Sequence, residues 1–359
     1  MPQQSRSEKE RCPFTQTQAC DSCPAIIAER EQFTSVELIS LADTLARKVN
    51  ISYSICKHLS VNPNNKLYAA IAWKERIHLY QEIDSTNTLA RSLLQKAIQE
   101  NKLHYSNGTL TNQACSIQGT IVLANHQTDG RGRQGRSFFS PQATGLYLST
   151  IIIPPGGVKN PAQLTASAAV AVCKALEQVY QIQPAIKWVN DIFYKGKKIG
   201  GILTEGVMDT SDGTIPGAVV GIGLNITPPD KGFPPELESI AGAIFSNTTN
   251  RNFEENDSQR NDLISAIMQN IFHALEKQWR QGDRPQEIDT VMEEYRQRSL
   301  LKPGHKVRVF PLAGSTQDSY PATCLGIDSN ARLQIQMEDG KYKLLDSGEV
   351  SLQSQEFTN

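Results

Sequence analysis

The sequence has little of what would assign it at once to a membrane, secreted or nucleic-acid-binding class. It contains no run of about 18 apolar residues, which is the length that crosses a bilayer as a helix. Its first residues, Met1–Ser5, are polar and lack the apolar segment of a secretory signal. We therefore expect a cytoplasmic protein without a membrane partner.

An excess of charge of either sign is also absent. The 359 residues carry 36 lysines and arginines against 37 aspartates and glutamates. Near-neutrality argues against broad, nonspecific affinity for nucleic acid, so nucleic acid is not an expected partner, although one local basic patch is not excluded. At this length two or three domains are expected, with ample chain for a core.

The cysteines do not follow the pattern of a disulfide framework, because seven is an odd number and no secretion signal precedes them. Cys12, Cys20 and Cys23 have the spacing C-x7-C-x2-C, which leaves a zinc or iron–sulfur site open, but only the last two form a close pair. We predict reduced thiols and no metal site. The isolated cysteines are predicted to be packing residues: Cys56, Cys115, Cys173 and Cys324.

Residues 1–75 form an N-terminal head with weak signals. Apolar residues between Phe33 and Leu59 recur at helical spacing, which predicts helices and leaves a DNA-binding helix-turn-helix open. The connection Arg47–Asn50 has no glycine, and no clear winged hairpin follows. The role of this head therefore stays open.

The strongest local signal is the arginine–glycine loop, Gly130–Arg136, where three glycines and three arginines occur within seven residues. Glycine lets main-chain N–H groups approach a ligand, and guanidinium groups bind phosphate or carboxylate through paired donors. The loop follows a strand-like segment, Gly119–Ala124, and lacks the Gly-Lys-Ser/Thr ending of a P-loop. It predicts an anion site; the alternative is a flexible, solvated basic loop.

Two further segments carry polar residues where a plain core element would not. Asp84–Asn87 follows a strand-like run and offers either a helix N-cap or hydrogen bonds to a ligand's amide or ureido group. Lys187 and Asn190–Asp191 interrupt the apolar run Ala185–Tyr194. Because buried charges need partners, this contradiction indicates either a site or an edge strand followed by a turn.

The order of predicted elements indicates an α/β (α+β) fold with a mixed, mainly antiparallel sheet. Glycines at 200, 201, 221 and 223 lie inside strand-like runs and indicate the close approach of another group. Residues 96–118 are polar and are predicted to be a surface excursion. After Gly304 the pattern changes to short alternating strands, with a hairpin turn at Asp339–Gly340, which predicts a small β-barrel.

Taken in chain order, five motifs resemble the biotin protein ligase family, also called biotin–[carboxylase] ligases or holocarboxylase synthetases. The resemblance implies a catalytic domain like that of class II aminoacyl-tRNA synthetases, at residues 76–300, and an SH3-like barrel at residues 301–359. The motifs are Asp84–Asn87, Gln127 with Gly130–Arg136, Lys187–Asp191, Lys198–Glu205 and Gly221–Ile226.

The resemblance implies an ATP-dependent biotin–[acetyl-CoA-carboxylase] ligase. Biotin and ATP, with Mg²⁺ entering on the nucleotide, would give biotinyl-5′-AMP and pyrophosphate. A lysine of the biotin-carrier domain of a biotin-dependent carboxylase would then take the biotin. Family members occur as monomers or as homodimers, so the oligomeric state stays open.

By resemblance, the candidate catalytic residues are Arg133 and Lys187. The biotin-binding residues would be Ser85, Thr86, Asn87, Gln127, Arg131, Gly132, Arg133 and Lys187. The nucleotide-binding residues would be Arg131, Arg133, Arg136, Phe138, Asn190 and Asn225.

The sequence departs from the family pattern in three places. Val189 replaces a proline, Phe138 stands where a tryptophan is frequent, and residues 1–75 do not match a winged helix-turn-helix well. Two alternatives therefore stay beside the ligase: a biotin-responsive DNA-binding repressor with ligase activity, and a lipoate–protein ligase.

Overall fold

The computed structural model describes residues 35–48, 73–100, 102–245, 257–279, 286–310, 319–346 and 349–352. Within these segments, none of the helices combines the length and the apolar character that crossing a membrane requires. The predictions for Cys12, Cys20, Cys23 and Cys56 fall outside the described residues, as does the part of the predicted helical segment after Lys48.

A large sheet of seven strands forms the centre of the structure, in the order β1-β2-β3-β7-β6-β5-β4. Only β1 and β2 are parallel, and every other neighbouring pair is antiparallel, as the sequence predicted. Its strands are β1 Ile77–Ile83, β2 Ile121–Gln127, β3 Gly145–Ile152, β4 Ala185–Lys187, β5 Asp191–Tyr194, β6 Lys197–Val207 and β7 Gly217–Asn225.

Helices cover both faces of this sheet. On one face α4 packs on β6 and against α6 and α7, and on the other face α2 packs on β2, β3 and β7. The alternation of β7 explains the two layers, since Val220, Ile222 and Leu224 belong to one core and Val219 to the other. The helices are α1 Ser35–Lys48, α2 Thr86–Glu100, α3 Asn112–Ile117, α4 Pro161–Tyr180, α5 Pro235–Glu238, α6 Asp257–Trp279 and α7 Gln286–Arg298.

The bounds of α4 follow from local chemistry that the sequence already carries. Proline at the first helical position needs no N–H partner, and the Asn160 side chain accepts hydrogen bonds from the backbone N–H groups of Ala162 and Gln163. The helix ends at Tyr180, after which Gln181 adopts a left-handed conformation with φ +54°. In the sequence, Pro161 followed by apolar residues at helical spacing predicts a helix that opens at this proline, and the prediction is confirmed.

The prediction that residues 96–118 form a surface excursion is wrong. Helix α2 continues to Glu100, and the short helix α3 follows. Leu103, Leu110 and Cys115 are buried in the core beneath α2. Leu103 and Leu110 enter the core from irregular backbone and Cys115 from a helix of six residues, so no single period could reveal their burial.

The C-terminal part is a second, antiparallel sheet of five strands in the order β11-β10-β9-β8-β12. The predicted hairpin turn is confirmed, with Gly340 at φ +81° between β10 and β11. The indole nitrogen of Trp188 donates to the carbonyl of Ala331 at 2.8 Å and joins the two sheets. The strands are β8 Lys306–Phe310, β9 Tyr320–Ile327, β10 Leu333–Met337, β11 Tyr342–Leu345 and β12 Glu349–Leu352.

Three of the four isolated cysteines are buried free thiols, as predicted: Cys115, Cys173 and Cys324. Burial raises the pKa of the Cys173 thiol to about 12, so this group stays protonated at neutral pH. These thiols pack as small apolar side chains.

Candidate functional site

A cavity of about 300 Å³ lies on the face of the large sheet that α2 covers, next to the start of that helix. It is lined by the first turn of α2, the end of β2, the arginine–glycine loop, the β4–β5 turn, and the central parts of β6 and β7. The segment 233–241 and one residue of the small sheet, Val350, also line it. The cavity therefore unites segments that are far apart in sequence.

Every site residue predicted from the sequence lines this one cavity. Eight of them divide by charge into two sets, which are used below. The neutral set is Ser85, Thr86, Asn87 and Gln127, and the cationic set is Arg131, Arg133, Arg136 and Lys187. The remaining four are Gly132, Phe138, Asn190 and Asn225.

In the neutral set Ser85, Thr86 and Asn87 are buried, Gln127 is half-buried, and Thr86 is hydrogen-bonded to Gln127. Gln127 Oε1 accepts from the backbone N–H of Thr86 at 2.9 Å and from its hydroxyl at 3.1 Å. The Ser149 hydroxyl lies 2.8 Å from Thr86 Oγ1 and 2.6 Å from Asn87 Oδ1. These side chains are already oriented, and hydroxyl and amide groups both donate and accept, which suits a ligand's amide or ureido group.

Thr86 and Asn87 lie within the first turn of α2 and turn their side chains towards the cavity. At the helix start, the Asp84 carboxylate accepts from the backbone N–H of Ser85 at 2.6 Å. Of the two interpretations left open for this segment, a place at the cavity therefore describes Thr86 and Asn87 better than an N-cap does. What they bind stays a prediction.

Two glycines of β7 let side chains lie directly on the sheet. A Cβ atom at Gly221 would stand 2.1 Å from Asn87 Oδ1, and one at Gly223 would stand 2.5 Å from the Phe138 ring. Both distances are far below van der Waals contact. The close approach predicted from these glycines is confirmed, and the approaching groups are the protein's own side chains.

The cationic set is more exposed than the neutral set. Arg133 Nη1 donates to Asn190 Oδ1 at 3.2 Å, and Asn190 Nδ2 donates in turn to the Ile202 carbonyl at 3.0 Å. Burial lowers the pKa of the Arg133 guanidinium, and the carboxylate of Asp191 opposes this change. An arginine pKa begins so far above neutrality that Arg133 remains a cation.

Lys187 lies at the end of the edge strand β4 and is half-buried in the cavity wall. Its ammonium stands 5.9 Å from the centroid of the Phe193 ring, and it forms no ion pair within the described part of the chain. β4 is an edge strand, as one interpretation requires, but Lys187 at its end lines the cavity and is not in open solvent. Its role as a site residue stays a prediction. Lys187 is thus a cation available to an anionic ligand.

The β4–β5 turn, which carries the residues after Lys187, is supported from the helical side. The fully buried Tyr295 donates its hydroxyl to the Val189 carbonyl at 3.0 Å. Burial raises the pKa of Tyr295 well above its usual value, so the hydroxyl keeps its proton. The peptide bond between Trp188 and Val189 is cis. A buried scaffold therefore holds the turn that borders the cavity.

The arginine–glycine loop turns back on itself. The backbone N–H of Gly132 donates to the Arg136 carbonyl at 2.7 Å, and that of Phe138 donates to the Gly130 carbonyl at 2.7 Å. Gly135 has φ +72°, a left-handed conformation that favours glycine. The loop is therefore a compact turn closed by backbone hydrogen bonds, and not an open strand of basic residues.

The structure adds residues that the sequence interpretation did not assign to the site. Glu205 on β6 contacts Arg91 of α2 and Arg131 of the loop, with nitrogen–oxygen distances of 3.3 and 3.1 Å. Lys198 and Asp191 form an ion pair of 2.7 Å that also lines the cavity. The signal available for Glu205 in the sequence was a carboxylate inside a strand-like run, in a chain that also has an arginine-rich loop. Sequence could not show which arginine it meets.

No group of three or more His, Cys, Asp or Glu side chains is placed to hold a metal ion in the described segments. The amide nitrogen of Asn225 donates to the Gly242 carbonyl at 3.0 Å, which ties the cavity to the segment after α5. The site is therefore defined by hydrogen-bonding and cationic side chains.

Comparison with known proteins finds similarity to the family that the five motifs resemble. Residues 82–225 match the model of the biotin/lipoate A/B protein ligase family. The chain is 32% identical over 231 residues to the bifunctional ligase/repressor BirA of Bacillus spizizenii, which covers 63% of this chain and 64% of that protein. It is 29% identical over 238 residues to the biotin–[acetyl-CoA-carboxylase] ligase of Mycobacterium tuberculosis, covering 65% of this chain and 79% of the relative.

Among solved structures, the biotin protein ligase from Aquifex aeolicus in complex with biotin and ATP shares the fold. The TM-score is 0.54 at 24% identity, covering 78% of this chain and 99% of that one. The resemblance to biotin protein ligases inferred from the motifs is confirmed. The matched region spans less than two thirds of the Bacillus relative, at 64% of its length.

Proposed function

We propose that the chain is an ATP-dependent biotin–protein ligase. It would activate biotin as biotinyl-5′-AMP and then transfer it to a lysine of the biotin-carrier domain of a biotin-dependent carboxylase. The observation that carries this proposal is the single cavity that brings the neutral set and the cationic set together. An uncharged bicyclic urea with an anionic tail needs both kinds of group. The triphosphate that meets this tail needs the cations.

In the first step a carboxylate oxygen of biotin attacks the α-phosphorus of ATP. A new phosphorus–oxygen bond forms, and the bond to the bridging oxygen breaks, so pyrophosphate leaves. Negative charge gathers on the phosphorus oxygens, and fixed cations there lower the barrier. Arg131, Arg133 and Lys187 are proposed to hold the carboxylate and the phosphate, and Arg136 to lie near the pyrophosphate.

The proposed binding of biotin places its ureido head against Ser85, Thr86, Asn87 and Gln127. Support comes from the fixed orientation of these groups before any ligand binds, since preorganised hydrogen bonds lose little on binding. The backbone of Gly132 is proposed to lie beside the biotin carboxylate, at a position where a side chain would crowd the loop. A Cβ at this position would stand 3.1 Å from the Arg136 carbonyl.

For the nucleotide we propose Phe138 beside the adenine, with Asn190 and Asn225 as polar contacts. Phe138 packs edge-on against Tyr147, with ring centroids 6.5 Å apart, and leaves aromatic surface on the cavity. Mg²⁺ is proposed to arrive bound to the phosphates, because it prefers phosphate oxygens and water to a dedicated protein cage.

In the second step the neutral amine of the acceptor lysine attacks the acyl carbon of biotinyl-5′-AMP. The new carbon–nitrogen bond forms the amide, the bond from acyl carbon to phosphate oxygen breaks, and AMP leaves while the amine loses a proton. Water competes for the same carbon. The arginine–glycine loop is proposed to act as a lid that excludes it.

The finer architecture is part of the same proposal. Residues 76–300 would be a catalytic domain like that of class II aminoacyl-tRNA synthetases, and residues 301–359 an SH3-like barrel. The five-stranded antiparallel sheet is compatible with such a barrel. Residues 1–75 would be a separate head, the protein would act in the cytoplasm, and a homodimer would be an alternative to the monomer.

The test is transfer of biotin, in the presence of ATP, to a purified biotin-carrier domain, with lipoate and a lipoyl domain assayed in parallel. We expect biotin to be transferred and lipoate not to be. Lipoate transfer alone would replace this proposal with the lipoate–protein ligase, which the name of the matched family also covers.

A repressor with ligase activity is the second candidate, because the Bacillus relative is named a bifunctional ligase/repressor. Its test is a mobility-shift assay on the chain's own biotin-gene control region, with biotin and ATP present. Biotin-dependent binding that disappears when residues 1–75 are deleted would favour it. We expect no specific shift, since this head does not match a winged helix-turn-helix well.

A further inference from the structure

Glu205 lies beside the cavity and joins two arginines from different elements. Its Oε1 atom is 3.3 Å from Arg91 Nη1 of α2 and 3.1 Å from Arg131 Nη2 of the arginine–glycine loop. Its Oε2 atom accepts from Asn87 Nδ2 at 2.8 Å. The carboxylate is 17% exposed, whereas the two arginines are 42% and 37% exposed. One shielded anion therefore links the neutral set to the loop.

We infer that Glu205 is a positioning residue, which holds the arginine–glycine loop at the cavity before substrate binds. Arg131 is the second residue of a turn closed by the backbone hydrogen bonds from Gly132 to Arg136 and from Phe138 to Gly130. Because these bonds make the turn move as one piece, fixing Arg131 also restricts Arg133 and Arg136. The inference goes beyond the proposed function, which assigns nothing to Glu205.

The alternation of β6 places Glu205 on the correct face of the sheet. Thr204 bonds to Thr165 of α4, on the opposite face, at 2.8 Å between hydroxyl oxygens. Glu205 and Leu203 therefore point to the side of α2 and of the cavity, where Leu203 lines the wall. The two arginines then approach one carboxylate from two elements, and only Arg131 belongs to the loop.

Amide hydrogen exchange without substrate provides the test. The full-length protein is compared with Glu205→Gln, Arg131→Gln, the double variant and Arg91→Gln. Glutamine keeps the shape of the side chain and an oxygen that accepts from Asn87, but it removes the charge. Arg91→Gln is the matched control, because it removes the other arginine of the same carboxylate. The amides followed are those of the loop, with α4 as internal reference.

We expect Glu205→Gln and Arg131→Gln to speed exchange of the loop by the same factor, about three- to tenfold, because a partly shielded ion pair contributes modestly. The double variant should add nothing, and Arg91→Gln should stay within about twofold of the parent. Unchanged exchange in Glu205→Gln would overturn the inference. Equal acceleration in Arg91→Gln, or acceleration throughout α4, would do the same, because Glu205 would then act through α2 or through the fold.

A second readout rests on the proposed function. In biotin-dependent exchange of pyrophosphate into ATP, Glu205→Gln should raise the KM for biotin about tenfold or less and change kcat little, since a mispositioned lid weakens binding first. A fall in kcat at unchanged KM would count against a positioning role. If the parent protein does not activate biotin, the proposed function fails while the exchange experiment still decides the role of Glu205.

Discussion

The neutral set and the cationic set line the same cavity but differ in their burial and in the elements that carry them. Ser85, Thr86 and Asn87 are at most 4% exposed. Thr86 and Asn87 lie in the first turn of α2, where Thr86 bonds to Gln127 and both bond to Ser149. Arg131 and Arg136 are exposed and lie on the arginine–glycine loop, where Arg131 contacts Glu205 of β6. A neutral head group can be recognised by a rigid surface. In the proposed function the cations must be fixed where charge develops on phosphorus, so contacts such as that between Glu205 and Arg131 are needed to hold the loop.

The largest predicted effect comes from removing one cation. Lys187→Ala or Arg133→Ala should slow adenylation by about 30- to 1,000-fold, because each removes about 2–4 kcal/mol of transition-state stabilisation. The measurement is biotin-dependent pyrophosphate exchange at saturating substrates. Both variants should keep the parent's unfolding temperature within a few degrees, since neither side chain belongs to the core.

The matched control is Lys195→Ala, which removes an exposed lysine at the β5–β6 turn, 5.1 Å from the centroid of the Tyr194 ring and outside the cavity. Its adenylation rate should equal that of the parent. A rate loss as large as that of Lys187→Ala would mean that general charge, and not position, matters.

The next effect concerns the rigid half of the comparison. Gly221→Ala would place a Cβ 2.1 Å from Asn87 Oδ1, so Asn87 must leave its hydrogen bonds. Overpacking of this kind lowers the free energy of unfolding by about 1–3 kcal/mol. Because the displaced Asn87 no longer faces the proposed ureido head, biotin affinity measured by calorimetry should fall by about tenfold. The comparator for stability is Gly201→Ala, where the nearest atom would be 3.6 Å away. Equal losses of unfolding temperature in both variants would contradict the specific clash.

A smaller effect is expected from Ser149→Ala, which removes the buried hydroxyl between Thr86 and Asn87. Loss of this hydrogen bond should lower the free energy of unfolding by about 1 kcal/mol and weaken biotin by a few-fold. Ser116→Ala removes an exposed hydroxyl bonded to the Gln113 carbonyl and should change neither quantity. A neutral result for Ser149→Ala would show that the neutral set does not need this support.

The smallest predicted effect separates the two sets by salt. Raising ionic strength from about 0.05 M to about 0.5 M shortens the screening length, so binding of ATP should weaken several-fold through the exposed arginines. Binding of biotin amide, which has the ureido head but no carboxylate, should change by less than about twofold. Calorimetric titrations of the two ligands at both salt concentrations give the comparison. Equal salt dependence would contradict the division into two sets.

Local signals predicted the elements well wherever local physics decides. Strand-like runs located β1 and β2, and a proline at the start of an apolar helical pattern located α4. The same approach failed between residues 96 and 118, where Leu103 and Leu110 enter the core from irregular backbone. Burial there depends on what covers the segment. Neighbouring elements, and not neighbouring residues, supply that cover.

The candidate site could be predicted in its members but not in its contacts. Each motif contained a residue type out of place for its element, such as glycines in a strand or a lysine in an apolar run. Which groups meet was not readable, because Glu205 and Arg131 are 74 positions apart. A carboxylate in a strand has many potential partners until the loop and the helix are both placed.

By itself, then, the sequence determined the sheet type, the motif residues and their chemical character, since these follow from side-chain chemistry and the period of each element. Tertiary structure alone decided that Gly221 makes room for Asn87 and that Glu205 takes Arg131 and not only Arg91. It also decided that the Trp188 indole reaches the second sheet at Ala331. Such pairings are set by distances between segments, which loop paths and strand register establish only when the whole chain packs.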